Sequence, residues 1–202
     1  MHATNFREAI ANFVRREALP PDKYSHQPRL YALCQEVGRD QIFDDDVLYA
    51  AVWTHDIGVF VGHRPEDPKL LSTWDNVGYA VRTVPGILEE MGFPVSKIPA
   101  VIYAIETHLP NKDPRSMEAT ILHDADILEQ LGATGILRTM AKVGRDTRFI
   151  TLHDAVSDLE QKARELPAKL RLPSSRRLAL SRLEVMNDFF IAIASETQGV
   201  LA

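Results

Sequence analysis

Apolar residues recur every three or four positions through most of this chain, and no long stretch alternates apolar with polar residues. An α-helix has 3.6 residues per turn, so this spacing gathers the apolar side chains on one face. The pattern predicts an all-α fold, a bundle of roughly nine helices without a sheet. The expected helices are residues 4 or 5 to 18, 22–37, 47–56, 73–91, 97–108, 116–131, 136–143, 151–166 and 174–196.

Glycine, proline and capping residues mark the expected helix boundaries. Gly58 is a plausible stop for the third helix, and residues 58–71 read as a loop. Ser72 with Asp75 three positions later predicts a capping box for the next helix. Pro85-Gly86 should kink or break that helix, and Gly132 should end the helix before it.

Length and composition limit the class of protein. A chain of 202 residues with 45% apolar residues fits one globular domain, 1–202. A net charge of −5 argues against stable nucleic-acid binding. Cys34 is the single cysteine, which fits a reducing compartment. We find neither a signal-peptide pattern nor an apolar run long enough for a membrane helix, so we expect a cytoplasmic protein that does not bind membranes. The oligomeric state is left open.

An adjacent His55-Asp56 pair follows the apolar run Val47 to Trp53. Neighbours on a regular helix point about 100° apart, so both side chains reach one metal ion only near a helix end. Imidazole and carboxylate ligands suit divalent ions of the Mn, Fe, Ni, Zn or Mg type. The alternative is a polar helix terminus with a hydrogen-bonded histidine.

Two further histidines lie on apolar helix faces. His26 begins the stripe that continues with Leu30, Leu33 and Val37. His108 ends the apolar segment of the helix predicted over 97–108. A lone histidine in such a place is more often a core residue with a hydrogen-bond partner than a ligand. That reading changes if both converge on His55-Asp56.

Asp124 and Asp126 stand in the predicted helix 116–131. A carboxylate on a core-facing stripe is costly unless it is paired, protonated or bound to a metal. Because they are two positions apart, they cannot share one face, and we expect them to have different roles. The alternative is a pair of surface or capping carboxylates.

The order His26, His55-Asp56, Asp126 resembles the HD-domain superfamily of metal-dependent phosphohydrolases, whose signature is H…HD…D. Further segments are similar to its compact bacterial members, and the resemblance extends from about Tyr24 to Glu196. They are Tyr24–Leu30, Ile105–His108, Leu122–Leu128, Gly132–Arg138 and the C-terminal pair of helices within 166–182.

The resemblance implies a set of roles. His26, His55, Asp56 and Asp126 would be metal ligands, and Asp124 would orient the site or its helix. The metal would activate water and polarise a phosphoryl oxygen, with Asp56 also orienting or deprotonating that water. His108 would act on the substrate side, as a general acid or base or a phosphate donor, or would bind a second metal.

The expected substrate is a small phosphorylated molecule, with a nucleotide, monophosphate or triphosphate, as the favoured class. Arg29, one turn from His26, and Arg138 are the candidate phosphate-binding cations. Core packing is the expected role of the Trp53 and Trp74 side chains, in preference to stacking on a base.

The sequence departs from the family at two places, and two alternative functions stay open. Glu129 stands where close relatives usually carry aspartate, and the 59–71 loop with His63 does not align with them. A different metal chemistry, a hydratase or di-iron oxygenase, would need ligands such as His63 and His108. A third alternative is a non-catalytic, metal-stabilised sensor domain.

Overall fold

The computed structural model describes residues 5–146, 148–198 and 200, and within them the fold is all-α, as predicted. Thr4, one of the two predicted starts of the first helix, lies outside the described residues. Short 3-10 helices occur at Pro21–Ser25, Ile57–Val59, Val95–Lys97 and Leu166–Lys169. The α-helices are α1 Phe6–Glu17, α2 His26–Val37, α3 Asp45–Thr54, α4 Pro68–Ser72, α5 Asn76–Glu90, α6 Ile98–Thr107, α7 Met117–Leu128, α8 Gly132–Met140, α9 Leu152–Glu165 and α10 Pro173–Glu196.

The chain forms two compact units, with the boundary between His123 and Asp124, inside α7. In the first unit, α3 packs against α1, α2, α5 and α6. Residues Val47 to Thr54 of α3 are all buried, because a helix that is apolar on every side must be enclosed by others. This central helix ends directly before the His55-Asp56 pair.

The second unit is built on α10, which packs against α8 and α9. Leu159 of α9 and Ala179 and Met186 of α10 are buried there. Whether residues 1–202 fold as the single domain predicted from the sequence stays a prediction.

Four local predictions need correction. The predicted loop contains the short helix α4, because Asp67 caps its first amides and Pro68 occupies its first position. Helix α5 continues through Pro85, which lies on a part-exposed side where water can bind the carbonyl left without a donor. The cap of α5 is Asp75 alone, since α4 ends at Ser72. Helix α8 begins at Gly132, four residues earlier than predicted.

Gly132 does not end the preceding helix as predicted, because α7 already ends at Leu128 and Gly132 is the first residue of α8. Its φ of +68° is a left-handed conformation that glycine adopts without strain. A Cβ there would also press against the side chain of Arg182 at 3.0 Å. Among the described residues, no helix is both long enough and apolar enough to cross a membrane.

Candidate metal centre

The start of α2 and the end of α3 bring three predicted ligands together. His26 is the first residue of α2 and is 7% exposed. His55 follows the last residue of α3 and is 1% exposed, and Asp56 comes next. The backbone leaves the helix at Asp56, with φ −97° and ψ 11°. The expectation that the pair lies at a helix end therefore agrees with the structure.

Gly58 does not stop this helix in the way the sequence suggested. Helix α3 ends at Thr54, and Gly58 lies in the following 3-10 helix without a positive φ. A Cβ on Gly58 would overlap the carbonyl oxygen of Asn76, at the start of α5. Glycine is needed here because two backbone segments approach each other closely.

The distances between the three side chains fit one metal ion. The carboxylate oxygen Oδ2 of Asp56 lies 3.6 Å from Nε2 of His26 and 3.6 Å from Nε2 of His55. One ligand atom from each residue lies within 4.8 Å of the others. Two donors about 2.1 Å from a shared ion lie about 3.0 to 4.2 Å apart, according to the angle between them. The cluster therefore has the donor types and spacing that suit a divalent metal ion.

A backbone contact sets the tautomer of His55. Its Nδ1 lies 2.8 Å from the carbonyl oxygen of Val52, one turn earlier in α3. A carbonyl can only accept, so Nδ1 carries the proton and Nε2 presents its lone pair towards the cluster. This is the arrangement that fixes metal-binding histidines in proteins.

His108 lies beside the cluster. Its ring centroid is 5.0 Å from that of His55, at an angle of 74°. It follows the last residue of α6 and is 2% exposed. Its Nδ1 donates to the carbonyl oxygen of Ile105 at 2.6 Å, which makes Nε2 the accepting nitrogen of the neutral ring. The two predicted apolar-face histidines do converge on His55-Asp56, while the role of His108 stays a prediction.

The acidic first turn of α3 is neutralised by basic side chains. Asp44 caps the helix, and Asp46 accepts hydrogen bonds from Arg7 at 2.7 Å and Lys97 at 3.0 Å. The hydrogen bonds from Arg7 and then Lys97 hold the pKa of Asp46 below its ordinary value. These contacts tie the start of α3 to α1 and to the residue before α6.

Two predicted carboxylates belong to the second unit. Asp124 is fully buried and accepts hydrogen bonds from the backbone amides of Arg171 and Leu172, at 2.8 to 3.0 Å. These contacts connect α7 to the segment before α10, and the orienting role of Asp124 stays a prediction. Asp126 is partly buried on the same helix, and its place in the ligand set stays a prediction.

Each of the two predicted phosphate-binding arginines contacts a residue that is fewer than ten positions away in the sequence. Arg29 donates to the carbonyl oxygen of Ser25 at 3.0 Å and is partly exposed. Arg138 in the second unit pairs with Glu129 at 3.2 Å, and Glu129 is 1% exposed. A buried carboxylate needs such a partner, so Arg138 has a structural task that the sequence reading did not foresee.

Contacts around the 59–71 loop were also missed. Nε2 of His63 lies 3.2 Å from the Glu17 carboxylate, and its Nδ1 lies 3.0 Å from the Tyr79 hydroxyl. The indole N–H of Trp74 donates to the carbonyl oxygen of Gly58 at 2.8 Å. An aromatic residue near a loop is a weak sequence signal, because its partner is set by the tertiary structure.

The sequence analysis also missed Gln27, which directly follows His26. Gln27 is 1% exposed, and neither its amide nitrogen nor its amide oxygen has a hydrogen-bond partner among the described residues. Burying an amide in this way costs free energy unless water or a ligand completes its hydrogen bonds. The burial was visible in the sequence only as a polar residue beside an apolar stripe.

Comparison with solved structures identifies the fold. Bacillus subtilis YpgQ matches with a TM-score of 0.76 at 21% identity, over 98% of this chain and 99% of that chain. YpgQ in complex with ADP matches with a TM-score of 0.74 at 23% identity, over 97% of both chains. An HD-superfamily hydrolase from Bacillus thuringiensis matches with a TM-score of 0.72 at 18% identity, over 98% of this chain and 100% of that chain.

No protein-family model matches the sequence, and no curated protein matches it either. The structural matches nevertheless cover nearly the whole chain. The protein therefore has the fold of the HD-domain proteins, and the predicted helical HD-type bundle is confirmed.

Proposed function

We propose that this protein is a metal-dependent phosphohydrolase acting on a small phosphorylated molecule, with a nucleotide as the favoured substrate. The observation that carries the proposal is the cluster of His26, His55 and Asp56, which puts two imidazole nitrogens and a carboxylate oxygen within reach of one ion. The HD-domain fold supports it, because the similar structures include HD-superfamily hydrolases.

The residues of the cluster have separate tasks in this proposal. His26 and His55 hold the ion through neutral nitrogens, the second in a tautomer set by Val52. The chemistry supplied by a divalent ion in such a site is Lewis acidity, which lowers the pKa of water and polarises a phosphoryl oxygen. Asp56, whose side chain is 23% exposed, can both bind the ion and orient or deprotonate a water that enters from solvent.

Asp126 completes the ligand set by the resemblance, and His108 is proposed for the substrate side. The ring of His108 is close to that of His55, so its Nε2 can donate a proton to a leaving group or bind a phosphate oxygen once protonated. Two histidines and two aspartates leave positions for water and substrate on a six-coordinate ion.

Recognition of phosphate is assigned to Arg29 and Arg138. Each carries a guanidinium suited to a phosphate group, although Arg138 also pairs with Glu129. The structure of YpgQ with ADP supports the choice of a nucleotide, because a chain of similar fold binds one. We also propose a cytoplasmic location, which the single buried thiol of Cys34 fits.

The test is hydrolysis of a nucleotide panel by metal-stripped protein resupplied with Mn, Mg, Ni, Fe or Zn. Phosphate and pyrophosphate are assayed separately, so the product identifies the bond that is cut. Turnover should require metal, and Asp56→Asn should lower kcat by about 10²-fold or more, because it removes a ligand charge and a general base. Asp40→Asn, a neutralisation of an exposed carboxylate on the same unit, is the matched control and should keep full activity.

The outcomes separate the proposal from its alternatives. Full activity of Asp56→Asn or of the metal-free protein would refute it. Tight metal binding that raises the melting temperature without turnover on any substrate would instead favour the sensor. A di-iron oxygenase or a hydratase would need further ligands or a neutral pocket, and both ring nitrogens of His63 already contact Glu17 and Tyr79.

A further inference from the structure

The turn that follows Asp56 is held by a side chain from a different part of the chain. Ile57–Val59 forms the short 3-10 helix, and the indole N–H of Trp74 donates to the carbonyl oxygen of Gly58 at 2.8 Å. Trp74 is half-buried and stands just before α5. Its hydrogen bond therefore reaches the backbone two residues beyond a proposed metal ligand.

This turn is hydrogen-bonded to Asp56, because the Val59 amide donates to the Asp56 carbonyl oxygen at 2.9 Å. Asp56 has already left the helical conformation, so the hydrogen bonds of α3 do not fix its backbone. On its far side, the turn packs so closely on Asn76 that Gly58 has no room for a Cβ. The indole of Trp74 and the start of α5 thus both contact Gly58 from outside the turn. They support the two residues that follow Asp56, whose carboxylate lies near His26 and His55.

Trp74 is itself supported by a second layer. Its ring packs on that of Tyr79, with centroids 5.4 Å apart. The Tyr79 hydroxyl contacts Nδ1 of His63, and Nε2 of His63 contacts the carboxylate of Glu17 at the end of α1. A continuous line of contacts thereby connects α1 and the loop after Val59 with the indole that holds the turn.

We propose that Trp74 is a positioning residue of the metal centre. Its N–H holds the Gly58 carbonyl and so keeps the Asp56 carboxylate directed at the two imidazole nitrogens. The inference rests on the metal-binding part of the proposed function and is independent of the substrate.

The test is calorimetric titration of metal-stripped protein with Mn²⁺, using Trp74→Phe. Phenylalanine keeps an aromatic ring against Tyr79 and removes the N–H donor, together with part of the volume of the indole. Loss of a contact that orients a ligand typically weakens metal binding 10- to 100-fold, so we expect about a tenfold weaker affinity.

A matched control separates this effect from general loosening of α5. Asp75→Ala removes the side chain that caps α5 through the amide of Gly78, at 2.8 Å, and leaves the indole in place. Because the start of α5 is the second support of the turn, this variant should lower the melting temperature and weaken Mn²⁺ binding less than Trp74→Phe does. Tyr79→Phe is a second variant, with an expected loss of about threefold, because it removes the support of His63 from the ring behind Trp74.

The proposal is overturned if Trp74→Phe binds Mn²⁺ as tightly as the wild type, or if Asp75→Ala weakens binding as much. If Trp74→Phe does not fold, an unchanged affinity of Tyr79→Phe overturns it. A wild type that binds no Mn²⁺ also refutes it, together with the metal centre. Hydrolysis is measured on the same samples, so Mn²⁺ binding that depends on Trp74 without turnover would refute the phosphohydrolase and support the positioning role.

Discussion

Asp124 offers the strongest test of how a buried carboxylate holds the second unit together. It is fully buried, and its oxygens accept two backbone hydrogen bonds, from Arg171 at 3.0 Å and from Leu172 at 2.8 Å. A hydrogen bond to a charged group contributes about 1.5–3 kcal/mol. Asp124→Ala should therefore lower the free energy of unfolding by about 3–5 kcal/mol, towards the lower end of the sum because water can reach the amide of exposed Arg171.

Asp124→Asn is the matched variant, because it keeps the shape and one accepting oxygen. Both amides lie within 3.0 Å of the same oxygen, Oδ2, so an asparagine oxygen placed there can still accept from both. Only the charge assistance is lost, and the expected cost is about 1–2 kcal/mol.

Urea denaturation followed by circular dichroism measures both variants. Equal costs for asparagine and alanine would refute the reasoning, because they would mean that the charge, rather than the pair of hydrogen bonds, is what matters. A cost below about 1 kcal/mol for Asp124→Ala would refute it as well. Titration of Asp124→Asn with Mn²⁺ then asks whether the residue also orients a metal ligand. An unchanged affinity would show that Asp124 does not orient a metal ligand.

Two further predictions concern the first unit. Gly58→Ala should cost about 1–3 kcal/mol in unfolding free energy and weaken Mn²⁺ binding, because the added Cβ overlaps the backbone of Asn76. The pKa of Asp46 is lowered in the folded protein, first by its hydrogen bond from Arg7, so its contribution to stability is present above the ordinary value of 3.8 and is lost as pH falls through the folded value. Unfolding free energies measured on either side of pH 3.8 should therefore fall less steeply with acid in Asp46→Asn than in the wild type.

Both predictions have a clear contrary result. Gly86→Ala is the control for Gly58→Ala, because nothing lies within 4 Å of an added Cβ at Gly86 in the middle of α5. It should stabilise the protein by about 0.5–1 kcal/mol. A similar gain from Gly58→Ala would refute the argument that Asn76 leaves no room for a Cβ at Gly58. For Asp46, equal acid dependence in the two proteins would show that its ion pairs do not contribute.

Helical periodicity was sufficient to predict most of the fold. The apolar residues predicted to face inward on α2 and α3 are buried in the structure. Burial of such residues is the interaction that assembles the helices into a bundle. The errors lie where a local interaction decides the outcome. Asp67 and Pro68 start α4 inside a segment without a periodic pattern, and Pro85 stays helical because its side of α5 is part-exposed.

The apolar patterns singled out the residues of the cluster as candidates, and the resemblance to HD-domain proteins implied that they bind one metal ion together. His26 begins one buried stripe, and His55-Asp56 ends another. What a side chain does beyond its own helix could not be predicted in this way. The pairing of Arg138 with Glu129 and the donation from Trp74 to Gly58 join residues 9 and 16 positions apart, and their geometry exists only in the folded chain.

The adjacent histidine and aspartate create a structural requirement that explains the supports around them. The side chains of two neighbouring residues on a helix point about 100° apart. Both can therefore face one ion only if the backbone leaves the helix at the second residue, as it does at Asp56. After the helix ends, the Asp56 carbonyl accepts a hydrogen bond from the Val59 amide at 2.9 Å, so the orientation of the aspartate depends on how firmly this turn is held. Here the supports are the packing of Gly58 on Asn76 and the hydrogen bond from Trp74. A histidine-aspartate pair at a helix end should therefore be read together with whatever holds the two residues that follow it.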